Sequence, residues 1–292
     1  MIEPALLRGR DRYERVTTGR VDNTHDDAFT HTVRLEEPDR ALEIEIVATP
    51  SPEYAIRAAR GRALRGDVAP SVIDGLRTLA GVVMVAGLTR QARDAMGQGA
   101  GASAAVDAVI EAARLARQVA KLPRKHAERA AIDPLECWRL DTTGWVDLPD
   151  SCFTYSDAGR ALFGTRAIAT PMHPDLYSPR PGQRGVFERR KVARVERRDR
   201  GLALFHSMHD DVHGFEITYE IDASGRIVKA EHVTPRLPYM GICSEPQRKI
   251  GALVGETADE DLRRRIQLHL GGPTGCAQLY DLTADLLKLL AP

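Results

Sequence analysis

The chain has 292 residues, of which 43% are hydrophobic and 28% charged, so it can fold around one large core or two smaller ones. Its 41 basic and 41 acidic side chains cancel, which argues against broad electrostatic binding to nucleic acid or anionic lipid. The N-terminal residues lack the apolar core of a signal peptide, and the longest apolar run, residues 79–88, is far shorter than the about 20 residues of a membrane-spanning helix. We therefore expect a cytoplasmic protein that binds neither nucleic acid nor a membrane.

The four cysteines are even in number but sparse, and none of them has CxxC spacing. A disulfide scaffold or a structural zinc site is therefore not expected. Cys137, Cys152, Cys243 and Cys276 are instead expected to be reduced thiols that pack as small hydrophobic side chains.

The N-terminal third begins with a polar segment, residues 1–29, which we expect to form an arm. Apolar and polar side chains then alternate, with a turn at residues 36–40, and this pattern predicts strands over 30–35 and 42–48. Helices are predicted over 53–65, 71–80 and 82–96, although the last apolar run also fits a strand.

Glycines dominate residues 97–105, which are expected to be a flexible link. Residues 106–122 place apolar side chains on one helical face, and Pro123 is expected to end that helix. Residues 132–182 contain many prolines and show no periodicity. A stretch of this kind is usually functional or interfacial.

Four short apolar stretches with Gly, Asp and Ser turns between them follow from residue 185, and they predict an antiparallel meander. The predicted strands are 186–195, 202–208, 215–221 and 227–233. Helices are predicted over 245–256, 259–270 and 276–290.

The two ends of the chain resemble each other. Residues 47–66 align with 232–255, and 79–96 align with 270–287, with a shared Thr-Pro followed by Tyr54 or Tyr239. The alignment predicts an α+β protein of two related halves about a pseudo-twofold axis, in which residues 30–96 and 213–287 superpose. Chance similarity of two α+β segments is the alternative.

The predicted organisation is an arm over 1–29, a first repeat over 30–122, a proline-rich connector over 123–184 and a second repeat over 185–292. The first copy has alanine where the second has Cys243 and Cys276. A functional site is therefore expected in the second copy or in the cleft between the copies.

Three motifs of the second copy occur together: His213-Gly-Phe before a strand, PYMGIC at 238–243, and LGGPTGCAQL at 270–279. In combination they resemble the bacterial domain-of-unknown-function 2889 family over about residues 185–290. The family's pattern ends in Gly-Cys-Thr-His-Leu, but this chain has Ala277-Gln278 in place of Thr-His, so no role of that histidine can be transferred. The resemblance implies an α+β fold and a link with bacterial catabolic genes, such as those for aromatic compounds. It implies no established reaction.

The densest group of titratable side chains lies near a predicted hairpin tip. It comprises His206, His209, Asp210, Asp211 and His213. Histidine can act as acid, base or metal ligand near neutral pH, whereas a solvated turn is the simpler explanation. His213 shares the strand parity of Phe215 and is therefore expected to point to the buried face. We assign catalytic roles to His213, Tyr239, His209 and Asp210.

Tyr239 and Cys243 lie where the last strand passes into a helix, and Cys276 opens the final helix. A phenol can orient or protonate a substrate oxygen, and a cysteine at a helix N-terminus can have a lowered pKa. Packed thiols and a glycine break for close packing are the competing interpretations.

Further substrate contacts are expected from the proline-rich loop around residues 172–184. An aromatic and basic loop beside a cleft can act as a lid, and a plain connection is the alternative. The predicted substrate-binding residues are His173, Tyr177, Arg180, Arg236, Cys243 and Cys276.

The sequence is most consistent with a cofactor-independent lyase, acting as a homodimer on a small lignin-type aromatic molecule. His213 or Tyr239 would ionise a phenol, a benzylic group would leave, and a hydroxymethyl side chain would depart as formaldehyde. Two alternatives stay open: a non-catalytic small-molecule-binding or regulatory module, and a metal-dependent hydrolase that uses His206, His209 and His213. We expect the purified protein to contain neither metal nor cofactor.

Overall fold

Eight strands form one antiparallel sheet, in which four strands from the N-terminal half lie beside four from the C-terminal half. The structure is a computed structural model and describes residues 4–7, 9–142 and 149–290. The predicted α+β class and the antiparallel meander are confirmed. Among these residues, no helix is long and apolar enough to cross a membrane.

The first half, residues 12–122, supplies one side of the sheet. Its strands are β1 (Arg12–Asp22), β2 (Phe29–Glu36), β3 (Arg40–Ala48) and β4 (Ile56–Gly66). The alternation that predicts β2 and β3 reflects burial, since Leu42, Ile44 and Ile46 are fully buried while Glu43 and Glu45 are partly exposed.

Two expectations for this half are wrong. The supposed polar arm contains β1, which pairs with β2 on one side and with the second half on the other. The supposed helix over 53–65 is β4, although its alanines and arginines favour a helix. Pairing with β3 overrides that preference. Gly61 lies opposite Ile44, and a Cβ at Gly61 would stand 2.9 Å from the Glu43 carbonyl oxygen.

Three helices follow β4: α1 (Pro70–Gly75), α2 (Leu88–Met96) and α3 (Ala102–Ala116). A 3₁₀ turn, Leu76–Leu79, extends α1. The glycine link is shorter than expected, because α3 begins at Ala102. The link is nevertheless bounded by glycines with positive φ, Gly97 after α2 and Gly101 before α3. Pro123 lies beyond the end of α3.

The connector between the halves is more helical than its prolines suggest. It contains α4 (Arg124–Ile132), α5 (Pro134–Thr142), α6 (Asp157–Ala161), α7 (Pro174–Tyr177) and 3₁₀ turns at Phe153–Tyr155 and Leu162–Gly164. Pro123 precedes α4, whereas Pro134 and Pro174 are the first residues of α5 and α7. These are positions where the missing N–H costs nothing. Residues 143–148 of the stretch expected to be irregular lie outside the described residues.

The second half, residues 187–290, follows the predicted meander. Its strands are β5 (Phe187–Arg198), β6 (Gly201–Asp210), β7 (Gly214–Asp222) and β8 (Ile227–Arg236). Its helices are α8 (Ser244–Gln247), α9 (Leu262–Leu270) and α10 (Ala277–Leu287), with 3₁₀ turns at Arg248–Leu253, Gly272–Thr274 and Lys288–Leu290. The sheet order is β4-β3-β2-β1-β5-β6-β7-β8.

The correspondence that the sequence alignment predicts is not found. Thr49-Pro50 lies between β3 and β4, whereas Thr234-Pro235 lies within β8. Residues 30–96 therefore hold three strands and residues 213–287 hold two, so they do not share one topology. The broader idea of a pseudo-twofold relation between the halves stays a prediction.

Two helices, α3 and α10, pack on the same face of the sheet, α3 against β1 to β3 and α10 against β6. Ion pairs fix their relative direction. Lys288 Nζ lies 2.7 Å from Asp107 Oδ1, and Arg114 lies 2.5 Å from Asp285 and 3.0 Å from Asp281. The two helices are therefore antiparallel, so the C-terminal end of α3 lies beside the N-terminal end of α10.

Beneath these helices, the middle strands carry buried charges. Glu111 of α3 lies 3.0 Å from Lys191 and 3.4 Å from Arg189, both on β5. Burial alone would raise the pKa of the Glu111 carboxyl, but Lys191 and Arg189 outweigh it and lower the pKa to about 2. The cleft between the two halves is therefore lined by buried ion pairs, whereas the buried side chains of the rest of the sheet are mostly apolar.

Candidate active site

A cavity of about 270 Å³ lies where α3, α10, the connector and the start of β7 meet. Its wall is mainly apolar. The polar and titratable side chains in the wall come from all parts of the chain. They include Arg117 at the end of α3, Asp141 of α5, Tyr177 of α7, His213 before β7, and Cys276 before α10. A mostly apolar pocket with a few convergent polar groups is the usual form of a small-molecule site.

His213 is held in the cavity wall by the turn between β6 and β7. Asp210, the last residue of β6, accepts hydrogen bonds from the amides of Val212 at 2.8 Å and His213 at 2.6 Å. The same carboxylate lies 3.0 Å from His213 Nδ1. Nδ1 therefore carries the ring proton and donates a hydrogen bond to Asp210. Nε2 then keeps a free lone pair.

The burial predicted for His213 is confirmed, since its side chain is 6% exposed. Nε2 forms no hydrogen bond with any residue that the structure describes. It is consequently the ring nitrogen available to a molecule in the cavity.

Asp210 is itself fixed in its ionised form. Burial alone would raise the pKa of its carboxyl. His213 and Arg189, whose Nε lies 2.8 Å from Oδ2, hold it well below its usual range instead. An ionised Asp210 orients the imidazole and stabilises the imidazolium that forms when Nε2 accepts a proton.

Asp141 forms the centre of a second polar cluster in the wall. It accepts hydrogen bonds from the phenols of Tyr177 at 2.5 Å, Tyr239 at 2.7 Å and Tyr155 at 3.0 Å. Burial raises the pKa of the Asp141 carboxyl above its usual value, although the three phenols oppose that shift by stabilising the charged form. Burial and the nearby carboxylate raise the pKa of each phenol well above its usual value.

Three of the four cysteines line the same cavity: Cys152, Cys243 and Cys276. All four cysteines are unpaired, and three of them are buried. Cys276 precedes α10, and its sulfur accepts a long hydrogen bond of 3.5 Å from the Leu279 amide. Burial raises the pKa of the Cys276 thiol to about 11 and raises that of Cys243 further. For Cys243 and Cys276 this supports the packed-thiol interpretation over a lowered pKa, and both thiols are neutral at pH 7.

Several predicted site residues lie elsewhere. Tyr239 is fully buried and does not line the cavity. Its phenol donates a hydrogen bond to Asp141, which does line the cavity. His173 and Arg180 are exposed and do not line the cavity, whereas Tyr177 from the same loop does.

Arg236 and His209 also lie outside the cavity wall. Arg236 donates a hydrogen bond to the backbone carbonyl of Asp210 and so supports the turn that carries His213. His209 is exposed, and its Nε2 lies 3.4 Å from Glu216.

The three histidines of the predicted cluster line three different cavities. His206 and His209 are three residues apart on β6, so their side chains point to opposite faces of the sheet. His206 faces a polar cavity of about 930 Å³ under the helices, and His209 faces one of about 540 Å³ on the other side. In the described part of the chain, no group of three or more His, Cys, Asp or Glu side chains is arranged to bind a metal ion.

The residues that sequence reasoning missed come mainly from outside the second half. Asp141, Tyr155 and Arg117 belong to segments with no motif, and only their positions in the fold bring them to His213. The one signal that pointed to them was the long proline-rich stretch, which contains Asp141 and Tyr155.

The comparison with protein families supports the resemblance seen in the sequence. Residues 191–291 match the family model described as protein of unknown function (DUF2889). The matched segment begins within β5, extends past the end of α10 and contains His213, Cys243 and Cys276. Asp141, Tyr177 and Arg117 lie outside it, so the cavity is built jointly by the family-like segment and by the rest of the chain. No curated protein and no solved structure matches the chain.

Proposed function

We propose that the protein is a cofactor-independent lyase that acts on a small, lignin-type phenolic molecule. The observation that carries the proposal is the His213–Asp210 pair. An ionised carboxylate fixes Nδ1 of the imidazole, and Nε2 is free in the wall of a mostly apolar cavity. A histidine with one ring nitrogen fixed by a carboxylate and the other free is suited to act as a general base.

The reaction begins with transfer of the phenol proton to His213 Nε2. The phenolate pushes electrons through the ring, and a benzylic hydroxyl leaves as water, which gives a quinone methide. A hydroxymethyl group on the neighbouring carbon then gives its O–H proton to Asp141, whose own proton has left with the benzylic hydroxyl as water, and the bond between the hydroxymethyl carbon and that neighbouring carbon breaks. The electrons of that bond restore the phenolate and form an alkene, while formaldehyde departs. Substrate becomes alkene, water and formaldehyde, so the balance needs no oxidant or cofactor.

Asp141 supplies the second titratable group of this proposal. It lines the same cavity as His213, and its pKa is raised by burial, which makes its neutral form easier to reach than that of an exposed aspartate. Asp141 therefore protonates the leaving benzylic hydroxyl. Tyr155 and Tyr177 line the cavity and hold this carboxyl, and Tyr239 holds it from behind.

The two alternatives make different predictions. A non-catalytic binding or regulatory module would use the same cavity but would release no product. A metal-dependent hydrolase has less support, because the three histidines it needs line different cavities. Homodimer formation and a cytoplasmic location stay predictions.

The decisive experiment compares turnover by His213→Asn and wild-type protein with phenolic 1,2-diarylpropane-1,3-diols, measuring formaldehyde and alkene absorbance. Loss of the general base is expected to lower kcat by about 10²–10⁴. His209→Asn is the matched control, since His209 lies on the opposite face of the sheet and should leave kcat unchanged. Full turnover by folded His213→Asn protein would remove His213 from the mechanism. Tight binding of these compounds without product would favour the binding module.

We also propose that the two halves are related by a twofold axis between β1 and β5. Each half has four strands, then a short helix with a 3₁₀ turn, then two longer helices, and the second half has two further 3₁₀ turns. Strand β1 pairs antiparallel with β5. The correspondence pairs β1 to β4 with β5 to β8, which differs by one strand from the alignment of the Thr-Pro motifs. Superposition of the two halves in an experimental structure tests it, and strands that do not overlay in this order would contradict it.

A further inference from the structure

One end of the cavity is formed by the C-terminal end of α3 and the N-terminal end of α10. The ion pairs of Asp107 with Lys288 and of Arg114 with Asp281 set the two helices antiparallel. One further turn along α3 brings Arg117 and Gln118 beside the first turn of α10, and residues of both segments line the cavity.

The start of α10 attracts negative charge. A helix N-terminus carries a partial positive charge on its free amides, and no acidic residue lies in the first turn of α10. Among the described residues, the side chains that contact its first-turn amides are thiols: Cys276 meets the Leu279 amide at 3.5 Å, and Cys152 accepts a hydrogen bond from the Ala277 amide. Sulfur is a weak acceptor, so these amides lack the strong partner that an Asp or Ser cap provides.

Arg117 adds a full positive charge at the same end. Its guanidinium lies 5.4 Å from the ring centroid of Tyr54, which fixes its position by a cation–π contact. One turn earlier, Arg114 is neutralised by Asp281 and Asp285. Arg117, by contrast, forms no ion pair with a carboxylate of the described residues. It is therefore a positioned cation that belongs to the cavity wall.

We propose that this end of the cavity binds a carboxylate group of the ligand, held by Arg117 and the first-turn amides of α10. The proposal rests on the function proposed above and narrows its substrate class. His213 lines the same cavity, and its side chain is 6% exposed. Its free Nε2 accepts a hydrogen bond from the hydroxyl group of the ligand. The apolar part of the cavity wall takes an aromatic ring. The substrate is then a phenolic aromatic compound that carries a carboxylate.

The test is equilibrium binding of two probes that differ only in charge, 4-hydroxybenzoate and 4-hydroxybenzamide, by isothermal titration calorimetry. Wild-type protein should bind the carboxylate at least about tenfold more tightly than the amide, because charge-assisted hydrogen bonds are stronger than neutral ones. Arg117→Gln should remove this preference and leave amide binding unchanged. Arg93→Gln is the matched control, since Arg93 is exposed on α2 and does not line this cavity.

Equal affinities for the two probes in wild-type protein would overturn the proposal, as would an undiminished preference in Arg117→Gln. Failure of both probes to bind at millimolar concentration would also overturn it. If Arg117→Gln does not fold in a thermal melt, a salt series on wild-type protein replaces it. Added salt should weaken binding of the carboxylate and not of the amide, and equal weakening of both would count against the site.

This measurement is independent of turnover. A protein that prefers the carboxylate through Arg117 but releases no formaldehyde would sustain the anion site and refute the lyase. A protein that turns over neutral phenols without any carboxylate preference would sustain the lyase and refute the anion site.

Discussion

The two halves of the sheet contribute four strands each, but they differ in what they bury. In the first half, the side chains of β2 and β3 beneath α3 are almost all apolar, with Val33, Leu42 and Ile44 fully buried. In the second half, β5 and β6 place Arg189, Lys191, His206 and Asp210 in the same layer. One half of the sheet thus packs on an apolar core, whereas the other holds a buried ionic network beside the candidate site.

The difference is not one of histidine content. His31 on β2 and His206 on β6 are both buried, and each makes one ring hydrogen bond to a backbone carbonyl, of Ile46 and Leu282 respectively. Burial lowers the pKa of His31 to about 4 and that of His206 to about 3, so both are neutral core residues. What distinguishes His213 is its carboxylate partner, Asp210, which fixes one ring nitrogen and leaves the other free.

The largest effect on stability is expected where the halves differ most. Glu111→Gln leaves Arg189 and Lys191 without their shared counterion and should lower the free energy of unfolding by about 3–5 kcal/mol. Glu43→Gln on the exposed face removes a surface pair with Arg62 and should cost no more than about 1 kcal/mol.

Urea unfolding at neutral pH measures both changes. A cost below about 1 kcal/mol for Glu111→Gln would mean that Asp285 alone neutralises Lys191. The ionic cleft would then be less important to the fold than the contrast between the halves suggests.

A second test uses the pH dependence of His31. Its folded pKa is lowered, so the unfolded chain binds the proton first, and stability is lost as pH falls from about 6.5 towards about 4. Between pH 7 and pH 5 the wild-type protein should lose about 2 kcal/mol more than His31→Leu does.

Denaturant unfolding of both proteins at the two pH values gives this difference. Val33→Ala, a core change on the same strand that removes no titratable group, should lower stability equally at both. Identical pH dependence in wild type and His31→Leu would show that His31 is not held neutral.

The smallest expected effect on the free energy of unfolding concerns the hydrogen bond between Tyr239 and Asp141 of the connector. Tyr239→Phe removes one of three phenols on the Asp141 carboxyl and should lower unfolding free energy by about 1–2 kcal/mol. Tyr219→Phe is matched in burial, but its phenol meets the neutral Thr283 hydroxyl at 2.8 Å, so about 1 kcal/mol or less is expected. Thermal melts rank the two variants, and a larger cost for Tyr219→Phe would show that the Tyr239 phenol contributes little to holding the Asp141 carboxyl.

The sequence by itself was sufficient for elements whose pattern is local. Period-two alternation and turn residues predicted β2, β3 and the four-strand meander, because each such strand buries one face and its turns need Gly, Asp or Ser. The parity of His213 with Phe215 predicted its burial for the same reason.

Tertiary structure decided everything that depends on a distant partner. Residues 56–66 have helix-forming side chains yet form β4, because β3 offers an open edge whose pairing outweighs local preference. The polar β1 is a strand because it lies between β2 and β5 and bonds to both. Asp141 and Arg117 join His213 because three separate segments close over the sheet, and no spacing along the chain records that convergence.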